Sequence, residues 1–240
     1  MTTFNELVID GVRTSSFPFQ IIIKESPSFD FSESKSQLWE HEGISGAIVQ
    51  TNKRRSLIKK EFTFQMVNPS EVELNRFMAL FTREKFWLEN EQIKTTRWWC
   101  YKVEGIKTVR ETAMLTVCQV TFICHPTKFF KTTDRQVLMK SGVLRPQGSA
   151  LAFPTIIVRG ESTSETSFTV GEQVIVLEKF SESLVMTNNP DQPSLKTSSG
   201  KLVRWKGDFI TIDASQNQPI GVVLGPGIRT LTFETVWGWA

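Results

Sequence analysis

Histidine and cysteine offer the widest chemistry of any side chains in this sequence, and they are few: His41, His125, Cys100, Cys118 and Cys124. A metal site or a catalytic triad needs such residues beside one another or beside carboxylates at defined spacing. No C-x-x-C or H-x-x-x-H pattern occurs. His125 directly follows Cys124, so on a strand the two point to opposite faces. His41 lies between Glu40 and Glu42 and reads as an exposed loop residue. Cys118 and Cys124 are six apart and share a strand face with Val120 and Phe122, the pattern of a buried core. Three cysteines, in a chain whose N-terminus lacks the basic start and apolar stretch of a signal peptide, argue for reduced thiols. Gly225–Pro226–Gly227 has no following helix and no Gly-Lys-Ser/Thr, so it reads as a turn and not as a phosphate loop. Asp208 and Asp213 are the acid pair a hydrolase reading would need, and nothing in the sequence brings them together. The expectation is a protein that is not an enzyme, with no cofactor and no metal.

Two other groups of residues have binding chemistry. The stretch TNKRRSLIKKEFTFQM, from Thr51 to Met66, carries Lys53, Arg54, Arg55, Lys59 and Lys60. A nucleic-acid groove interleaves such charges with aromatic platforms on one surface. Here Phe62 and Phe64 alternate inward and follow the charges, with Lys60 on the same face at its outer end. Residues 1–146 hold 21 basic against 16 acidic residues, a balance of +5, and residues 147–240 hold 7 against 9, a balance of −2. Neither half has the strongly basic balance of a dedicated nucleic-acid binder. The basic stretch therefore reads as a loop tip or a contact with a neighbouring subunit. The second group is tryptophan: of seven, Trp98 and Trp99 are adjacent, and Trp205, Trp237 and Trp239 fall late in the chain. Exposed, these last three are candidate sugar contacts; buried, they are core.

The elements that must position these residues change character along the 240-residue chain. No apolar run approaches the roughly 20 residues of a membrane span. SFPFQIII reads as a first strand, and SLIKKEFTFQM as a half-buried one with Ile58, Phe62, Phe64 and Met66 on one face. A helix over Pro69–Glu84 follows, with Asn68 as its expected N-cap, Glu71 in a capping box and Val67 and Val72 as a staple. Leu74, Phe77, Met78 and Phe81 form its buried stripe. KFWLE continues as a strand, and two long strands turn near Glu104–Gly105. The segment before them, SPSFDFSESKSQLWEHEGISGAIVQTNK, is less regular, with a turn signal at Gly43 and Gly46. From Pro154 onward short strands start every 8–13 residues between Gly, Asn, Pro or Ser, as in an antiparallel sandwich. The expected class is mainly β with one α-helix: an N-terminal β-rich domain with a strand–helix–strand unit over residues 1–146, and a C-terminal sandwich over 147–240.

In this order the segments resemble the distal tail proteins of long-tailed bacteriophages, the hub components of the tail tip or baseplate. FPFQIII is similar to that family's opening strand, HEGISGA occupies the place of its glycine-containing loop, and RRSLIKKEFTFQM with the capped helix matches its strand–helix–strand unit. CQVTFICHPTKFF resembles the strand closing the first domain, GSALAFPTIIVRG the start of the second, and LGPGIRTLTFETVWGWA the ending. Ile44–Ser45 stands where the first loop usually carries Arg-Asp, and SLVMTNN lacks the usual central Asp. The resemblance implies a galectin-like second domain and a homohexameric ring made by the first domains. It implies as partners the tail tube protein, the tail-associated lysin or tail-tip protein and, in some phages, a receptor-binding protein. DNA passes through the channel without specific binding, and there is no membrane insertion. The place it implies is the virion tail tip, after synthesis in the host cytoplasm. Lys53, Arg54, Arg55, Lys59 and Lys60 then fall at a subunit or tail-tube interface. The alternative reading is a carbohydrate-binding sandwich that recognises host cell-surface sugar.

Overall fold

The computed structural model describes residues 5–240, apart from the side chains of Thr51, Asn52 and Lys53. The first unit, up to Phe129 together with Ala240, holds strands β1 (Leu7–Ile9), β2 (Val12–Arg13), β3 (Gln20–Ile23), β4 (Ser34–Glu40), β5 (Ala47–Arg55), β6 (Ile58–Val67), β7 (Phe86–Asn90), β8 (Thr96–Arg110) and β9 (Leu115–Phe130). Between β6 and β7 lies the α-helix α1 (Glu71–Met78), extended by a 3-10 turn at Ala79–Thr82. One sheet is eight-stranded, and seven of its strands follow the order β2-β1-β7-β8-β9-β6-β3. β4 and β5 stay outside it as a two-stranded hairpin.

The register between β6 and β9 shows why the alternating residues become core. Phe62 faces Val120, Phe64 faces Cys118 and Ile58 faces Cys124, all buried on the helix side of the sheet. From the helix, Phe77 and Phe81 close over them: Phe77 meets Phe64 at 5.3 Å and Phe81 at 5.1 Å, both near edge-to-face. Leu74 and Met78 complete the stripe at its margin. The helix starts later than the Asn68 cap implies. Ser70 is the N-cap, and its hydroxyl accepts from Glu73 N–H while the Glu73 carboxylate accepts from Ser70 N–H at 2.8 Å. This is a complete capping box two residues downstream. Asn68 instead takes a left-handed φ of 50° in the turn out of β6, a conformation Asn tolerates well. Val72 stays exposed, so no staple forms there.

The second unit, Phe130–Trp239, holds β10 (Asp134–Leu138), β11 (Gly142–Leu144), β12 (Leu151–Ala152), β13 (Thr155–Gly160), β14 (Thr166–Val170), β15 (Gln173–Leu177), β16 (Leu184–Thr187), β17 (Ser194–Thr197), β18 (Trp205–Lys206), β19 (Ile212–Asp213), β20 (Ile220–Leu224), β21 (Ile228–Thr235) and β22 (Gly238–Trp239). Two five-stranded antiparallel sheets, β10-β21-β13-β16-β17 and β11-β20-β14-β15-β18, enclose one apolar core. Ile156, Leu184, Leu231 and Phe233 come from the first sheet, and Phe168, Val170, Ile175 and Val222 from the second. The Pro-Gly turn before β21 is packed tightly: a Cβ added at Gly225 would meet the Ser167 carbonyl oxygen at 2.1 Å. The unit begins at Phe130, not after Pro146. Residues Asp134–Leu144, which look loose in sequence, are two strands: β10 pairs along β21 and β11 along β20.

Candidate assembly interface

The hairpin of β4 and β5 is the most exposed regular structure in the first unit. Every residue of β4 is exposed. Its register pairs Leu38 with Val49 and Trp39 with Ile48. Residues directly opposite each other in an antiparallel pair point to the same face, and neighbours along a strand to opposite faces. Each face of the hairpin therefore carries one apolar pair, 68% and 61% exposed on one side and 60% and 55% on the other. A two-stranded hairpin with no third strand and no covering layer is marginal in water. Exposed apolar pairs on both faces make it the first unit's candidate contact surface. At its tip Glu40, His41, Glu42, Ile44, Gly46 and Ala47 surround an open depression, and His41 Nδ1 accepts from Gly43 N–H at 3.1 Å.

The basic residues of the sequence separate around the base of this hairpin. Arg54 and Arg55 end β5 and are exposed, so they close one strand of the hairpin and do not open β6. Arg55 donates to the Ser32 carbonyl at 3.0 Å. The Lys53 side chain lies outside the described residues. Lys59 is exposed on the outer face of β6. Lys60 is a correction to the expected interface set: it is buried on the core face, and its ammonium is fully engaged inside the chain. Its Nζ lies 2.5 Å from Asp30 Oδ2, 3.1 Å from Ser28 Oγ and 4.0 Å from the centre of the Trp98 ring. A lysine enters an apolar face only when its charge is matched in this way.

The partners of Lys60 come from the irregular segment Pro27–Glu33, a strap between β3 and β4. Its start is fixed by Glu25. The Glu25 carboxylate accepts from Thr63 N–H at 2.6 Å where β3 has left β6, and so carries the ladder on by one rung. Burial pushes the Asp30 carboxyl up, but the hydrogen bonds from Lys60 and Ser28 outweigh it and hold the group below the ordinary carboxylate range. A folded-state value below the unfolded one stabilises the fold above the unfolded value and is lost as pH falls through the folded one. Wild type is thus expected to be more stable than Asp30→Asn at neutral pH, with the difference vanishing in acid. Urea unfolding at pH 7 and pH 3 measures it; equal differences at both would show that the pair does not tie down the strap.

The tryptophans divide likewise. Trp237 is fully buried, and its Nε1 donates to Asp134 Oδ2 at 2.9 Å, so it is core and no sugar platform. Trp205 pairs with buried Leu177, which puts its ring on the core side of β18, 4.8 Å from Phe209. Partly buried, Trp205 itself lines an open depression of about 480 Å³ together with Glu165, Val176, Glu178, Arg204 and Lys206. Trp239 is exposed and tilts against Phe130 at 5.9 Å. All three cysteines are buried and free, and burial pushes the Cys100 and Cys118 thiols up, away from nucleophilic thiolate. His125 Nδ1 accepts from Thr127 N–H at 3.0 Å. Among the described residues no group of three His, Cys, Asp or Glu is placed to hold a metal, and no helix is long and apolar enough to cross a membrane.

A helix-bearing β unit with an exposed apolar hairpin and a two-sheet sandwich define a mainly β protein of two units. The structure is similar to the crystal structure of the Dit protein (gp 19.1) of phage SPP1, described as a paradigm of the hub adsorption apparatus in phages that infect Gram-positive bacteria. The TM-score is 0.66 at 14% sequence identity, over 96% of this chain and 98% of that one. No protein-family model and no curated protein matches the sequence.

Proposed function

We propose that this chain is a structural protein of a bacteriophage tail tip, a distal tail protein. Six copies form a ring that joins the tail tube to the tail tip or baseplate. The observation that carries this reading is a likeness to the SPP1 hub protein running through both units, with almost nothing left over on either chain. The exposed hairpin supports it from within, because a cyclic heterologous interface needs an apolar element that is satisfied only on the next subunit. The first unit makes the ring, and the second, read as galectin-like, faces outward and carries the receptor-binding protein. The protein works by binding and has no catalytic role. The sugar-binding alternative loses one of its three platforms, since Trp237 is core.

Light scattering with negative-stain imaging of the same peak tests the reading. Six copies of the 27.4 kDa chain give about 164 kDa, in rings with a central hole. A protein that stays at 27.4 kDa at every concentration, with or without the tail tube protein, refutes the ring.

A further inference from the structure

Two lysines of the first unit are buried, Lys60 and Lys128, and one strap carboxylate, Asp30, lies within ion-pair distance of only one of them. Lys60 takes it. Lys128, on β9, is 5% exposed, and among the described residues no carboxylate lies within ion-pair distance of its Nζ. The contacts of its ammonium are ring faces: Phe31 at 3.9 Å and Phe29 at 5.8 Å. Cation–π contact offsets part of the desolvation of an ammonium but does not replace a counter-ion. Burial and the neighbouring Lys60 both push the Lys128 ammonium toward its neutral form, against a weaker pull from Asp30. Phe29 and Phe31, whose rings cover it, are themselves 68% and 66% exposed. A lysine with no carboxylate within reach, covered by two rings that themselves face water, is the half of a contact that one chain can supply.

A complementary charge is exposed elsewhere in the first unit. The hairpin tip carries Glu40 and Glu42, both exposed, beside the apolar Leu38 and Trp39. Neither carboxylate is within ion-pair distance of Lys128 in its own chain, and β4 carries the tip seven residues, about 23 Å at roughly 3.3 Å per residue, from the end of the strap. Offered to a neighbour, the tip brings a carboxylate for Lys128 and, from one of its two opposite faces, either Leu38 or Trp39 for the Phe31 and Phe29 rings that the carboxylate displaces. We propose that Lys128 is the receptor for the acidic hairpin tip of a second copy of this chain, with the Pro27–Glu33 strap as the cover that shifts to admit it. The proposal rests on the ring reading and names its contact.

A double-mutant cycle tests it, read as the concentration at which the assembled species falls to 27.4 kDa chains in light scattering. Glu40→Gln with Glu42→Gln alters only exposed groups, and Lys128→Met keeps the length of the stem without its charge. Thermal unfolding of each variant checks that the fold is kept. Each change alone is expected to raise the dissociation concentration roughly tenfold or more. Together they are expected to raise it no further than the larger single effect, because the pair is already broken. Fully additive effects, or no effect of Lys128→Met, overturn the pairing while leaving the ring intact. A wild-type protein that never assembles overturns the ring and this contact with it.

Discussion

Phe77→Ala is expected to destabilise the first unit by about 3–5 kcal/mol, the range for emptying a fully buried aromatic site. The ring of Phe77 is 0% exposed and sits at the centre of an aromatic cluster. It meets Phe81 at 5.1 Å, Phe17 at 5.2 Å, Phe64 at 5.3 Å and Phe19 at 6.3 Å. Phe17 and Phe19 precede β3, Phe64 is on β6 and Phe81 follows α1, so one side chain ties three separate segments to the helix. The neighbours cannot collapse into the void together, because each is fixed to a different strand or turn. Stability on this scale is a large part of what a domain has. Urea unfolding followed by tryptophan fluorescence measures it, and Phe77→Leu, which keeps more of the contact, is expected to fall between wild type and alanine. A midpoint unchanged by the alanine exchange would mean that α1 does not close the core.

The same cluster shows which parts of the fold are legible in the sequence. Leu74, Phe77, Met78 and Phe81 repeat at helical spacing, and Phe62, Phe64 and Met66 alternate, because each element has one wet face and one dry one. The hairpin of β4 and β5 breaks that rule. Leu38 and Trp39 are neighbours that face opposite ways, so the segment has no period-2 pattern, and its regularity appears only in the cross-strand register. Lys60 is misread for a related reason. Its position in the alternation points inward, but a charge there makes sense only with Asp30, thirty residues earlier on a strap that has no pattern of its own. Trp237 is fixed by Asp134 in the same long-range way, more than a hundred residues apart. The helix start is a local error: Asn68 and Ser70 are both good caps, and only the Glu73 reach-back chooses between them. The order of the strands and the change from a helix-bearing unit to a sandwich are readable. The pairings that bury single polar groups are not.

The hairpin carries the largest expected effect on assembly. Leu38→Asp with Val49→Asp places two carboxylates opposite each other on one face, at positions 68% and 61% exposed in the single chain. The fold of the first unit is expected to survive, because neither residue belongs to its core. The ring is not. Burying two such side chains at an interface is worth on the order of 1.5–3 kcal/mol each, and an unpaired carboxylate in their place adds a desolvation cost. The proposed six-membered ring repeats that loss at every interface, so even one interface's share, more than a hundredfold in the dissociation constant, is expected to leave 27.4 kDa chains where the proposed wild-type ring is about 164 kDa. Leu202→Asp, at a 78% exposed residue of the second unit, is the matched control and is expected to leave the ring unchanged. Trp39→Asp with Ile48→Asp probes the opposite face. Loss of the ring from both exchanges means the hairpin is gripped on both sides by neighbouring copies. Loss from the Leu38 and Val49 face alone leaves the Trp39 face free for a different tail protein. Rings of about 164 kDa from the Leu38→Asp and Val49→Asp chain would remove the hairpin from the ring contact and with it the seat for its tip on Lys128.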